Sequence, residues 1–248
     1  MKQPQHDRAL HPPGAQERAE IERIEARRTF LKGAAAGTLV MAFGGAAFAV
    51  AADDDPRLGT NRPDGRPRLP PGQRLLSALR PMGGEPGDPS AAAWRCRIHG
   101  DCDRPTTIDF ATLLRMPQTS LRADVHCVTG WTVFDAPWTG VRLSHLAELA
   151  GVRPGVRHVV FEAAHGYTAN VPLREALRPN VMLAHRLNGA PLPRPHGPPV
   201  RSLVPDLYFW KSAKWLTGVR FVRADEPGYW ETRGDHNHGD PWREERYG

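Results

Sequence analysis

The sequence predicts an α+β domain built from mixed β-strands and short helices. Apolar and polar residues alternate in short stretches between residues 94 and 222, which is the pattern of half-buried strands. A few short segments with helical apolar spacing lie between these stretches. The chain also contains 25 prolines and 24 glycines among its 248 residues, which indicates many turns and irregular connections. Together these three observations predict the fold class.

The strand predictions rest on alternation or on short apolar runs. Trp94, Cys96 and Ile98 alternate with basic residues and begin the series. Asn188 and Gly189 form a strong turn signal just after another of these runs. We expect strands at residues 94–99, 123–127, 158–162, 167–173, 181–185, 200–204 and 219–222.

The helix predictions rest on apolar spacing and on end signals. Residues 107–114 start with N-cap chemistry and keep a helical spacing up to Pro117. Residues 143–150 predict an amphipathic helix that Gly151 ends, and Ser144 is a candidate N-cap. We also expect a helical turn at 173–177, a loop at 131–138, a stiff proline-rich loop at 191–199 and an aperiodic aromatic tail at 229–247.

Composition narrows the class of protein. The chain is 40% hydrophobic, which is enough for a core, and its length fits one domain with extensions. The formal net charge is +6, but acidic residues are interspersed and no block of Lys and Arg occurs. This distribution predicts no nucleic-acid partner.

The N-terminus has the features of an export signal. Arg27 and Arg28 precede an uncharged run, residues 33–52, that is rich in Ala and Gly. Residues 47–51 supply the small-x-small pattern that a signal peptidase recognises. Residues 1–51 therefore predict a twin-arginine signal peptide and a periplasmic protein. The alternative is a membrane anchor, which Gly and Ala make weak.

Residues 52–90 predict an extended arm that lies on the domain. This stretch is rich in Pro, Gly and Arg and holds one short apolar segment, at residues 75–79. Such a composition favours irregular backbone. We therefore expect the globular domain, with its C-terminal tail, to occupy residues 91–248.

Cys127 is the residue around which the functional prediction is built. It ends a predicted strand, and the turn signal Thr129-Gly130 and then Trp131 follow it. This position suits a thiolate presented to a bound group. The alternative is a small buried side chain, because cysteine is among the most buried residue types. His126 is not expected to serve as its base, since neighbours on a strand point to opposite faces.

The other two cysteines, Cys96 and Cys102, allow two interpretations. They can form a disulfide in an oxidising compartment. We prefer two small buried side chains, because Cys96 shares a strand face with Trp94 and Ile98.

Two loops carry the groups that an anionic ligand needs. His196 and Arg201 flank a proline-rich turn, and residues 211–214 supply two ammonium groups and a hydroxyl. A guanidinium gives bidentate contact and an ammonium gives point contact with an anion. The alternative is a solvated basic face. The chain shows no phosphate-binding Gly-rich loop, dinucleotide fingerprint, usual zinc motif or serine-hydrolase elbow.

Several motifs in order make the chain resemble a known family. From about residue 94 to 247 it is similar to the oxidoreductase molybdopterin-binding domain of the sulfite oxidase family. The resemblance is greatest to small bacterial single-domain members, which include the periplasmic methionine sulfoxide reductase catalytic subunit. The matching motifs are residues 126–131, 187–193, 196–201, 210–216 and 239–242.

This resemblance implies a sulfite-oxidase-like fold and a cofactor of one molybdenum ion and one molybdopterin. Cys127 matches the thiolate that ligates the metal and is thereby the implied catalytic residue. His165 falls where an Asp or a hydroxyl residue often contacts the pterin. The other positions implied to bind the cofactor are His196 and Arg201, on the pterin, and Ser212, Ala213 and Lys214, on its phosphate.

The chain also departs from the sulfite oxidases. Residues 233–236 occupy the region where those enzymes carry an active-site Tyr, and residues 129–132 replace an Arg-rich run. A haem motif and a dimerisation domain are not recognisable. We therefore expect a monomer that exchanges electrons with a separate partner, a membrane haem protein or a soluble cytochrome.

The resemblance implies transfer of an oxygen atom to or from a small-molecule substrate. Reduction of a sulfoxide or another S- or N-oxide is favoured over sulfite-type oxidation by the departures just described. A third alternative is an exported binding domain that keeps the fold without the metal.

Overall fold

The computed structural model describes residues 55–248, and within them eleven strands and three α-helices are joined by turns and 3₁₀ helices. The helices are α1 (Phe110–Arg115), α2 (Leu143–Ala150) and α3 (Leu173–Ala176). The strands are β1 (Arg74–Leu75), β2 (Arg95–Gly100), β3 (Thr106–Asp109), β4 (Gln118–Cys127), β5 (Trp131–Arg142), β6 (His158–Ala163), β7 (Thr168–Pro172), β8 (Met182–Leu187), β9 (Ala190–Pro191), β10 (Arg201–Leu203) and β11 (Leu216–Val222).

The strands form two mixed sheets. The first has the order β1-β5-β8-β10, with β4 also paired to β5 and β9 to β8. The second has the order β3-β2-β11-β6-β7. The pairs β1–β5 and β2–β11 are parallel and the remaining pairs are antiparallel. Two mixed sheets with short helices confirm the predicted α+β class.

Most buried apolar side chains form two clusters, and the larger one draws residues from both sheets. Ile98, Phe161 and Val219 of the second sheet pack in the larger cluster, together with the buried face of α2. The smaller cluster belongs to the first sheet and contains Cys127 and Trp138. Removing these side chains from water supplies roughly 1.5–3 kcal/mol each for the larger ones. The candidate site is therefore built on the first sheet.

The prediction of a loop at residues 131–138 is wrong, because these residues begin the long strand β5. Trp131 pairs with Cys127, and the pairing continues to Val141 opposite Gln118. The polar residues and Pro137 obscure this strand in the sequence. An irregularity between Ala123 and Val125 accommodates them: Asp135 adopts a φ of 55°, and its N–H donates to Asp124 Oδ1 at 2.9 Å.

The predicted helix at residues 107–114 is partly wrong. Its first residues form β3, where Ile108 pairs with Cys96, and α1 begins only at Phe110. The N-cap is Asp109, whose carboxylate accepts the Thr112 N–H at 2.7 Å. The β-branched residues before it favour pairing in the sheet over a helical turn.

The helix α2 is predicted correctly over its whole length. Gly151 ends it in the left-handed conformation with a φ of 64°. Ser144 is not its cap: Arg142 holds the N-cap position, and no side chain there makes a capping hydrogen bond. The preference for buried thiols over a disulfide is also confirmed, since Cys96 and Cys102 are both buried and no bond joins them.

The described part of the arm, residues 55–90, is mostly irregular and lies against the first sheet. Leu75 and Leu76 are buried, and β1 adds to the edge of β5. The division of the chain at residue 90 stays a prediction. None of the helices between residues 55 and 248 combines the length and apolar character needed to cross a bilayer. The predicted signal peptide, residues 1–51, lies outside the described residues.

Candidate active site around Cys127

Cys127 lies at the point where β4 ends and the chain turns into β5. The turn is closed by the Gly130 N–H, which donates to the Cys127 carbonyl at 3.0 Å. Gly130 has a φ of 86°, a conformation that glycine adopts without strain. The sequence therefore predicted both the strand and the turn that position this sulfur.

The turn after Cys127 is held from two sides. From the arm, Gln73 Nε2 donates to the Cys127 carbonyl at 3.1 Å, and the Arg74 N–H donates to the Gly130 carbonyl at 3.0 Å. From the tail, Arg246 Nη1 donates to the Val128 carbonyl. The backbone around the sulfur is thus fixed by side chains far away in sequence.

The sulfur of Cys127 lies at the edge of an apolar cluster. The residue is 4% exposed, and its Sγ is 3.2 Å from the hydroxyl oxygen of Thr129. Trp138 belongs to the same cluster, and Phe209 packs against it. Both aromatic rings also lie beside a basic residue of the site, Arg201.

Arg201 lies beside these two rings and is almost fully buried. Its guanidinium carbon is 4.1 Å from the ring centre of Phe209 and 5.6 Å from that of Trp138. Its nitrogens donate only to backbone carbonyls, those of His196, Ser202 and Ser212. Burial lowers its pKa to about 9.

No carboxylate among residues 55–248 pairs with Arg201, although the residue is only 1% exposed. A buried charge without a counter-ion costs several kcal/mol unless an opposite charge binds beside it. Arg201 is therefore a candidate for contact with a bound anion.

His196 and Lys214 lie close to Arg201, and His196 is neutral near pH 7. Burial, and then the charge of Arg201, lower the pKa of His196 to about 4 and that of Lys214 to about 8. Lys214 Nζ donates to the carbonyl of Met82 at 2.6 Å and to that of Gly83, and no carboxylate of the described residues binds it.

The two basic loops touch through their backbones. The Trp215 N–H donates to the Gly197 carbonyl at 3.3 Å. A Cβ placed on Gly197 would lie 2.7 Å from Lys214 Cα, so only glycine permits this approach. The structure thus brings together three of the predicted site residues: His196, Arg201 and Lys214.

Ser212 and Ala213 connect this segment to β10. The Ser212 hydroxyl accepts the Val204 N–H at 2.9 Å, and the Ala213 N–H donates to the Ser202 hydroxyl at 2.7 Å. The Ser212 N–H donates to the Phe209 carbonyl at 3.1 Å. Both backbone amides therefore already have acceptors within the protein, and Lys214 is the residue of this segment with a cationic group to offer.

His165 lies further out, against the arm. It adopts a φ of 58°, its Nε2 is 3.3 Å from the Pro86 carbonyl, and its side chain is 45% exposed. The preceding N–H, of Ala164, donates to the Trp215 carbonyl at 3.1 Å, so the residue borders the Lys214 segment. His165 therefore lies next to the segment that carries Lys214.

Comparison with known proteins identifies the family of the chain. A profile of the oxidoreductase molybdopterin-binding domain matches residues 83–230. The chain belongs to this family. It is 38% identical over 190 residues to the uncharacterized oxidoreductase YuiH of Bacillus subtilis, which covers 76% of this chain and 96% of YuiH.

Two further relatives of this molybdopterin-binding family are longer than the chain. The methionine-sulfoxide reductase catalytic subunit MsrP of Xanthomonas campestris is 30% identical to this chain. The aligned region covers 60% of this chain and 53% of the length of MsrP. The mitochondrial sulfite oxidase of Drosophila melanogaster is 37% identical over a region that covers 40% of this chain and 19% of the oxidase. The solved sulfane dehydrogenase SoxCD of Paracoccus pantotrophus aligns with 58% of this chain and 41% of its own, at 25% identity and a TM-score of 0.52.

The site residues fit the cofactor that the molybdopterin-binding family implies. That cofactor carries a metal, which prefers sulfur ligands, and a phosphate, which is an anion. Cys127 offers one sulfur, and residues 55–248 contain no cluster of three His, Cys, Asp or Glu side chains that would hold a metal unaided. Arg201 and Lys214, which have no carboxylate partner there, suit the phosphate.

Sequence reasoning missed the residues that fix the turn. Gln73 lies in a stretch of Pro and Gly, and Arg246 lies in a tail without periodicity, so neither gives a local signal. Lys211 was grouped with Lys214 as an anion-binding residue, but it is fully buried in an ion pair with Glu231. Only the tertiary structure distinguishes the two ammonium groups.

Proposed function

We propose that this chain is a molybdenum oxidoreductase that transfers an oxygen atom to or from a small substrate. Reduction of a sulfoxide, or of another S- or N-oxide, is the favoured reaction. Membership of the molybdopterin-binding family supports the reaction class, and the similarity to methionine-sulfoxide reductase subunits supports its direction. The observation that carries the proposal is a buried cysteine, Cys127, that shares an apolar cluster with Trp138, whose ring also lies beside the Arg201 guanidinium. Arg201 has no carboxylate partner among residues 55–248.

Each site residue has a separate task in this proposal. Cys127 ligates the molybdenum, and the bound cofactor supplies the redox chemistry. His196 and Arg201 contact the pterin, and Lys214 binds its phosphate, with Arg201 adding positive charge beside it. Ser212 and Ala213 hold the Lys214 segment against β10, and His165 contacts the pterin beside that segment. A protein thus preorganised spends no further energy on orienting its donors.

The proposal includes a location and a partner. The twin-arginine signal at residues 1–51 directs the protein to the periplasm, and the naming of MsrP as a catalytic subunit supports a separate electron carrier. A membrane haem protein or a soluble cytochrome fills that role, and the oxidoreductase itself is a monomer.

The experiment that tests the enzyme class is metal and pterin analysis. The protein is expressed in a host able to make the molybdenum cofactor, and molybdenum and pterin fluorescence are measured after purification. We expect one of each per chain. A purified chain containing neither would contradict the enzyme proposal and would favour a binding domain that keeps only the fold.

The direction of the reaction is tested on the loaded protein. A reduced dye serves as electron donor for a series of sulfoxides and N-oxides, and an oxidised dye serves as acceptor with sulfite. We expect turnover with the first series. Turnover with sulfite alone would assign the protein to sulfite-type oxidation.

A further inference from the structure

The hydroxyl group of Thr129 lies beside the sulfur of Cys127. The two atoms are 3.2 Å apart, which is within hydrogen-bond distance for sulfur. Thr129 occupies the third position of the turn that starts at Cys127, so it folds back over the residue two places before it. This side chain takes no part in the binding tasks described above.

The surrounding contacts fix the distance between these two side chains. The Cys127 carbonyl accepts two hydrogen bonds, from Gly130 and Gln73, and the Val128 carbonyl accepts one from Arg246. The backbone that leads into Thr129 is therefore held at both Cys127 and Val128. Thr129 is also β-branched, which restricts its side-chain rotation.

We propose that Thr129 donates a hydrogen bond to the Cys127 thiolate and thereby sets how strongly the sulfur donates to the metal. This inference rests on the proposed function, in which Cys127 is the metal ligand. A thiolate has no proton to give, so the hydroxyl is the donor in the loaded protein. A hydrogen bond to a ligand sulfur withdraws electron density from it and raises the reduction potential of the metal.

The test compares two substitutions at the same position. Thr129→Val keeps the shape and removes the hydroxyl, whereas Thr129→Ser keeps the hydroxyl. Thr139→Val is the matched control, because it removes a hydroxyl of β5 that is paired with Ser120 at 2.9 Å. Molybdenum content, the sulfur-to-metal absorption band and the reduction potential are measured for each protein.

We expect Thr129→Val to retain molybdenum, with its absorption band shifted to lower energy and its potential shifted to more negative values. Thr129→Ser and Thr139→Val should match the wild type. The inference would be overturned if Thr129→Val contained molybdenum with an unchanged absorption band and reduction potential. It would also be overturned if both Thr129 variants showed equal shifts of the band and the potential. Loss of metal from Thr129→Val alone would overturn it too, by assigning the hydroxyl to ligation. A wild type without molybdenum would instead refute the proposed function and the inference with it.

Discussion

Lys211 and Lys214 lie three residues apart in one segment, yet only Lys211 has an acidic partner. The Lys211 ammonium pairs with Glu231, and both side chains are almost fully buried. The Lys214 ammonium lies among backbone carbonyls and 4.6 Å from the ring centre of Trp215. The charge of Lys211 is therefore satisfied by an acidic side chain, whereas no carboxylate among residues 55–248 pairs with Lys214.

Replacing the two lysines by methionine is expected to have opposite effects. Lys214→Met should change the free energy of unfolding of the cofactor-free protein by no more than about 1 kcal/mol, because no charge is left unpaired. The loaded variant should lose its pterin faster on dialysis. Lys211→Met leaves the buried Glu231 carboxylate without its cation and should destabilise the fold by about 3–5 kcal/mol. Equal retention of pterin by Lys214→Met and wild type would remove Lys214 from the cofactor site.

Cys127→Ser tests the metal ligand. The change in size is small, so the protein should fold, but an oxygen donor binds the metal differently from a thiolate. We expect no activity and little bound molybdenum. If the sulfur were only a core side chain, the variant would lose at most roughly 1–3 kcal/mol of stability and keep its turnover. Cys102→Ser, at another buried thiol, is the control and should remain active.

Gly197→Ala tests the contact between the two basic loops. Gly197 has a φ of 84°, and a Cβ there would meet the backbone of Lys214 and Trp215. Gly189→Ala is the matched control, because its φ is 75° and no atom lies within 4 Å of the new Cβ. The control should lose about 1–2 kcal/mol of unfolding free energy, because alanine must adopt the left-handed backbone conformation there. Gly197→Ala should lower the free energy of unfolding by more than this and should weaken pterin retention. Equal losses of unfolding free energy in the two variants, measured with urea, would show that the loops tolerate separation.

His238 predicts a pH dependence of stability. Its hydrogen bond to Glu175, and then the one to Glu245, raise its pKa above the ordinary value of 6.5. Arg174 and Arg178 lie near the first carboxylate and His236 near the second. The stabilisation is complete below pH 6.5 and is lost as pH rises through the raised pKa.

His238→Gln should therefore flatten the decline in the free energy of unfolding above pH 6.5. The reference is His185→Gln. Burial lowers the pKa of His185, so its contribution is lost on the acid side instead. Urea unfolding from pH 5 to 9 measures both slopes. An unchanged slope in His238→Gln would mean that its two carboxylate contacts do not persist in solution.

Export is tested by Arg27→Lys with Arg28→Lys. Recognition by the twin-arginine route depends on the arginine pair, so the precursor should stay in the cytoplasm with its signal uncleaved. Fractionation followed by mass measurement distinguishes the precursor from the mature chain. Unchanged periplasmic delivery would contradict the predicted signal.

The parts that sequence predicts well are those with local causes. The strand and turn around Cys127 follow from alternation and from Gly130, and the end of α2 follows from Gly151. The misassigned strand β5 has a non-local cause. Its polar residues and Pro137 are accommodated by pairing with β4, which no local pattern reveals.

The candidate site also combines features that the local sequence reveals with features that only the tertiary structure reveals. Arg201 and Lys214 are visible as basic residues, but the missing counter-ion of each is a property of the packed structure. The contact of Thr129 with Cys127 depends on a turn geometry that Gln73 and Arg246 stabilise from distant parts of the chain. Sequence thus identifies the groups, and tertiary structure assigns their partners.

The support of the Cys127 turn also constrains the order of biosynthesis. Gln73 reaches this turn across 54 residues and Arg246 reaches it across 118 residues. A nascent chain therefore cannot complete the support of this turn until residue 246 has been synthesised, and contacts of such span form slowly. A metal delivered during translation would meet a cysteine whose neighbours are still missing. Under the proposed function, insertion of the cofactor would therefore follow the docking of both supporting segments.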